Sequence, residues 1–124
     1  MAKSPSKALI RLVRHGEVMR MDFLDAEIAG EQILNQFRKG IDLVISNTTD
    51  GSSPKLLLNF QDVDFMSSSA VGELLAGLKR IQGKEGKVRM ANLAPSVREI
   101  LLVTRVLQQI PSHDSIDDAI AHFN

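Results

Sequence analysis

A mixed α/β fold is what this sequence predicts: a mostly parallel sheet of four to five strands with about four helices packed against it. Three observations predict it. Two adjacent segments near the start alternate apolar and polar residues around a glycine. A short, wholly apolar run lies at mid-chain between turn-forming stretches, and beyond it segments of helical apolar periodicity alternate with strand-like ones.

The first two segments are residues 8–14 (ALIRLVR) and 17–23 (EVMRMDF), with His15 and Gly16 between them to reverse the chain as a hairpin. Asp25 is then expected to cap a first helix, in which Ala29, Ile33, Phe37, Ile41 and Ile45 form one apolar stripe to about Ser46. The polar stretch 47–54, with its Gly and Pro, ends that helix. Residues 55–60 (KLLLNF) suit a strand covered on both faces, hence central in the sheet. After a connector over 61–66, Val71, Leu74, Leu75, Leu78 and Ile81 mark a second helix that begins near Ser67 to Ser69 and stops in the turn 83–86 (GKEG). Residues 87–93 (KVRMANL) form another strand, and Pro95 opens a third helix with Val97, Ile100, Leu101, Thr104 and Leu107 on one side. A short strand is expected near 109–111 and a last helix over 115–123, where Ser115, Asp117 and Asp118 suit the positive end of the helix dipole.

Composition narrows the function. At 124 residues, one domain is expected over 8–124, following a loose tail at 1–7 (MAKSPSK). Fifteen basic residues balance fifteen acidic ones, so no summed positive field exists to hold a nucleic acid backbone. Trp and Tyr are absent as well, which removes the usual platform for stacking bases. The absence of Cys excludes disulfides and zinc-thiolate sites, and no apolar stretch approaches bilayer-spanning length. A cytoplasmic protein that binds neither nucleic acid nor membrane is expected, with room for weak homo-oligomerisation. Sites in such sheets gather where strands feed helices, which directs attention to Asp25 and to residues 62–70.

Residues 55–78, KLLLNFQDVDFMSSSAVGELLAGL, resemble the core signature of the STAS domain, the fold of anti-sigma factor antagonists. Asn59 takes the strand-end position of that signature, Phe65 and Met66 its aromatic-aliphatic pair, Ser68 and Ser69 its hydroxyl pair, and Val71 and Gly72 the opening of its helix. Residues 83–101 (GKEGKVRMANLAPSVREIL) resemble the family's glycine turn, next strand and third helix, and Leu24-Asp25 the pair before its first helix. The similarity is strong over 55–107 and weak before Asn47. Two positions depart from the pattern: Ser67 stands where the family has an acid, and Ala70 where it mostly has Gly.

The resemblance implies a binding module, not an enzyme, that docks on an anti-sigma factor of the serine-kinase type and so releases a sigma factor. Ser68 would be the phosphoacceptor, and Asp25, Asp64, Phe65, Met66, Ser67 and Ser69 the surrounding switch surface. The physics is coherent. Ser67 or Ser68 can cap the helix while unmodified, and phosphorylation adds about 1.5 to 2 negative charges that the helix dipole tolerates. A partner forced to bury that charge unpaired would lose affinity, with Asp62, Asp64 and Asp25 adding repulsion. The missing acid at Ser67 leaves an alternative open, an unphosphorylated STAS interaction unit of a transport or sensory assembly.

A rival enzymatic reading comes from residues 12–18 (LVRHGEV), which look like the Arg-His-Gly-Glu signature of histidine phosphatases, with His15 as nucleophile. It lacks the helix, the further arginines and the second histidine motif that this chemistry needs. The three histidines are isolated along the chain and show no metal-ligand spacing, while Asp22, Asp25, Asp62 and Asp64 could at most gather around a hard cation. No phosphate-cradling glycine motif is present, and no cofactor is expected.

Overall fold

The structure, a computed structural model, describes residues 7–48 and 52–123. All but Lys7 of the expected tail lies outside the described residues, and the carbonyl of Lys7 accepts a hydrogen bond from Gln36 Nε2 at 2.9 Å.

The chain opens with the antiparallel hairpin of β1 (Ile10–His15) and β2 (Val18–Phe23). His15 pairs with Val18, so the reversal is made by Gly16 and Glu17 rather than by His15 and Gly16. Gly16 has a φ of +60°, the conformation a two-residue hairpin asks of its first loop position. Next comes an element absent from the sequence expectation, the two-residue β3 (Glu27–Ile28). Helix α1 (Glu31–Ser46) then starts at Gly30, whose φ of +86° admits the chain, so Asp25 is not its cap. Asp25 Oδ1 instead accepts from Glu27 N at 3.2 Å and closes a turn ahead of β3. Ala29, expected in the buried stripe, is exposed before the helix, while Ile33, Phe37 and Ile41 are buried with Leu34 and Val44.

β4 (Lys55–Asn59) is central in a five-stranded sheet of order β1-β2-β4-β6-β7, whose remaining strands are β6 (Lys87–Ala91) and β7 (Ser112–His113). Every pairing after the hairpin is parallel. The three leucines of β4 explain its place. Leu56 and Leu58 belong to the core beneath α1 and α2 (Ser68–Gln82), and Leu57 to a second core under α4 (Ile116–Ala121). Successive strand residues face opposite sides, so only a strand covered on both can bury all three, each contributing about 1.5–3 kcal/mol.

Helix α3 (Pro95–Val103) buries Val97 and Leu101 but stops before Leu107, because Arg105 turns left-handed at φ +66° and a 3-10 turn (Val106–Gln108) follows. The short edge strand forms at β7 and not at 109–111, where Ile110 is wholly buried. Ser115 caps α4 as expected, accepting from Asp118 N at 3.1 Å. No helix among the described residues is long and apolar enough to cross a membrane.

Candidate functional site

The site forms where β4 delivers the chain to α2. Asn59 ends the strand buried, and its amide makes three hydrogen bonds. Asn59 Nδ2 donates to Asp22 Oδ1 at 2.9 Å, while its Oδ1 accepts from Gln61 N at 3.2 Å and from Asn92 Nδ2 at 2.9 Å. One side chain thus ties the ends of β2, β4 and β6 together and sets the direction of the connector over 61–66.

Asp22 anchors this network from the neighbouring strand, 3 % exposed. Arg11 Nη2 reaches its Oδ2 at 2.8 Å and Arg20 Nε its Oδ1 at 2.8 Å. Burial alone would push the Asp22 carboxyl upward; hydrogen bonds from Arg20, Asn59 and Arg11, with the charge of Arg20, outweigh it and hold the group below the usual carboxylate range. Asp22 is therefore spent on the fold and is not free to join Asp25, Asp62 and Asp64 around a cation.

The connector contains a second unforeseen element, β5 (Phe65–Met66), paired in parallel with β3 so that Glu27 lies opposite Phe65 and Ile28 opposite Met66. The carbonyl of Ala26 accepts from Asp64 N at 2.8 Å and from Phe65 N at 3.2 Å, and that of Ile28 from Ser67 N at 3.0 Å. Ser96 Oγ on α3 donates to the Asp64 carbonyl at 2.8 Å. These bonds bring the Asp25 turn alongside the start of α2, the juxtaposition that the sequence spacing left undefined.

Within that frame the serines separate. Ser67 is half-buried and is the cap, its Oγ accepting from Ala70 N at 3.1 Å. Ser68 is the first residue of α2; it and Ser69 are exposed, and neither side chain makes a hydrogen bond among the described residues. Ala70 is 2 % exposed and seats the first turn in the core. The first turn carries no acidic residue.

The surface around Ser68 is acidic with one apolar feature. Asp25, Glu27, Asp62 and Asp64 are exposed, and Phe65 is 44 % exposed. Met66 does not belong to that surface: strand alternation turns it inward beside Phe23, Ile28 and Leu34, and it is 3 % exposed. Glu27, missed in the sequence, joins the face only because β3 pairs with β5. Asn92, which completes the Asn59 network, lay inside the strand expected over 87–93 and carried no signal of its own.

The rival nucleophile, His15, ends β1 and is followed by a hairpin and a second strand, its Nε2 3.0 Å from Arg20 Nη1. His113 lies on β7, at the other edge of the sheet, and His122 follows α4. The described residues therefore bring no second histidine to His15. They do bring His113 and His122 together, contrary to the expectation of three isolated histidines; their rings lie 4.6 Å apart.

No curated protein matches the chain in sequence. Solved structures do match in fold. An anti-sigma-factor antagonist (STAS) domain protein from Planctomyces limnophilus superimposes with a TM-score of 0.79 at 23 % identity, covering 96 % of this chain and 100 % of that one. The Bacillus cell fate determinant SpoIIAA in its phosphorylated form gives 0.68 at 20 % identity over 93 % and 99 % of the two chains. A sulfate transporter family protein from Wolinella succinogenes gives 0.67 at 17 % identity over 89 % and 87 %. The STAS domain family model matches residues 18–119, a span that runs from β2 into α4 and includes Asn59 with its partners and the serine-bearing start of α2, and the chain belongs to the STAS domain family.

Proposed function

We propose that this chain is an anti-sigma factor antagonist, a cytoplasmic module whose docking on a serine-kinase-type anti-sigma factor is switched by phosphorylation of Ser68. One observation carries the reading: Ser68 is exposed at the first position of α2 while its neighbour Ser67 does the capping. A phosphate on Ser68 therefore breaks no cap and meets the positive end of the helix. The fold survives modification. A partner laid over Phe65 and the α2 start would instead have to bury about 1.5 to 2 new charges amid Asp25, Asp62 and Asp64, which costs on the order of 2 to 5 kcal/mol if they stay unpaired. The likeness to SpoIIAA, a protein whose structure is described in a phosphorylated form, supports the same reading.

A capture experiment with unmodified and Ser68→Asp protein against candidate anti-sigma kinases tests it. Wild type is expected to retain the partner and Ser68→Asp to lose it; equal retention would sink the switch.

A second reading is favoured by Ser67, which holds the cap where the family signature has an acid and leaves the first turn of α2 without a carboxylate. The chain would then be an unphosphorylated STAS interaction unit of a transport or sensory assembly. Intact mass after incubation with candidate kinases separates the two, a single added phosphate at Ser68 supporting the switch and none supporting the assembly unit.

A further inference from the structure

On the opposite face of the sheet from α1 and α2, the edge strand β7 and helix α4 bring together the only imidazole pair among the described residues. His113 comes from β7, where it pairs with Ala91, and Asp118 in the first turn of α4 lies one helical turn from His122 at its C-cap. His113 Nδ1 is 2.8 Å from Asp118 Oδ2, His122 Nδ1 donates to the Asp118 carbonyl at 2.8 Å and lies 3.8 Å from Asp118 Oδ1, and one ligand atom from each residue lies within 4.8 Å of the others. Donor atoms bound tetrahedrally at about 2.0–2.1 Å stand about 3.3 Å apart, inside the range these three already span.

We propose that His113, Asp118 and His122 form a binding site for one borderline divalent cation of the zinc, cobalt or nickel kind, with water completing the coordination. Two imidazoles and one carboxylate suit these ions, whereas magnesium and calcium take oxygen ligands. Three protein ligands leave a position open.

In the resting protein the hydrogen bonds of His113 fix its tautomer. Arg89 Nη1 lies 3.0 Å from His113 Nε2, and a guanidinium can only donate, so Nε2 accepts and the ring proton sits on Nδ1, facing Asp118. A cation entering between Nδ1 and Asp118 takes that proton's place. The proton passes to Nε2, the Arg89 contact opens, and the guanidinium keeps its place over the Phe123 ring, 5.6 Å from its centroid. Loading would clamp the edge strand to the helix that covers Leu57 and Ala91.

The test is zinc titration of the untagged full chain by calorimetry, with cobalt absorption for geometry and thermal unfolding with and without zinc. One zinc per chain is expected to bind and to raise the unfolding temperature, while magnesium binds no such site. His122 and Asp118 are half-exposed, so His122→Ala and, as a second variant, Asp118→Asn are expected to fold. Each should weaken zinc on the order of tenfold or more and remove the thermal shift. Equal zinc affinity in wild type and both variants would overturn the site. So would the absence of saturable binding, which would leave the three residues as a hydrogen-bonded fastening of α4 and nothing more.

Discussion

Adjacent serines at the start of α2 give the sharpest test of the architecture, because the structure assigns them different work. Ser67 Oγ accepts from Ala70 N at 3.1 Å, so Ser67→Ala leaves a backbone donor of the first turn without its cap. That turn is held against the core by Ala70, 2 % exposed, and water replaces the lost acceptor poorly there. Losing such a cap costs about 1 kcal/mol. For a chain of 124 residues this lowers the unfolding midpoint by about 3–6 °C. Ser68 is exposed and bonds to nothing among the described residues, so Ser68→Ala should stay within about 0.5 kcal/mol of wild type. Ser68→Asp should be neutral or gain about 0.3–1 kcal/mol from the helix dipole, a gain that falls with added salt. Urea unfolding followed by far-ultraviolet circular dichroism measures all three against wild type. If Ser68→Ala costs as much as Ser67→Ala, or Ser67→Ala costs nothing, the division of labour is wrong, and with it the claim that phosphorylation spares the fold.

Two further outcomes are expected. The Asp22 carboxyl is held below its unfolded value of about 3.9, so its contribution is complete above that pH and is lost as the pH falls through the folded value. Asp22→Asn should therefore cost about 3 kcal/mol at neutral pH, and a difference from wild type that did not shrink below about pH 4 would remove Asp22 from its role as anchor. Among the glycines, a Cβ on Gly86 would stand 2.5 Å from the Pro54 carbonyl and 2.6 Å from Ile81 Cγ2, whereas one on Gly72 meets nothing within 4 Å. Gly86→Ala should destabilise by about 1–3 kcal/mol and Gly72→Ala, inside α2, should stabilise by about 0.5–1 kcal/mol; the reverse order in thermal unfolding would contradict the packing of that turn.

Much of the fold was legible because its signals are local. The Leu56 to Leu58 run named the central strand through burial on both faces, Ser115 announced α4 by its capping chemistry, and Pro95 opened α3. Asp25 misled for the same local reason. An Asx residue ahead of an apolar period reads as a helix cap, and nothing nearby in sequence announces that the chain will spend residues 27 and 28 pairing with a strand almost forty residues downstream. Met66 misled likewise: its place in an aromatic-aliphatic pair says nothing about which of the two faces water once β5 alternates.

By itself the sequence determined the hairpin, the central strand, the four helices and the parallel character of the sheet after the hairpin, and the cluster of serines at the start of α2, since period, turn chemistry and capping are properties of neighbouring residues. Tertiary structure alone decided which serine caps and which stands free, that Asp22 is consumed by Arg11 and Arg20, that Glu27 joins the acidic surface, and that His113 meets His122 across Asp118. Most of these depend on contacts between segments distant in the chain, whose register is set by packing and hydrogen bonding that no local pattern encodes, while the cap at Ser67 is local but is placed by the pairing of β5 with β3.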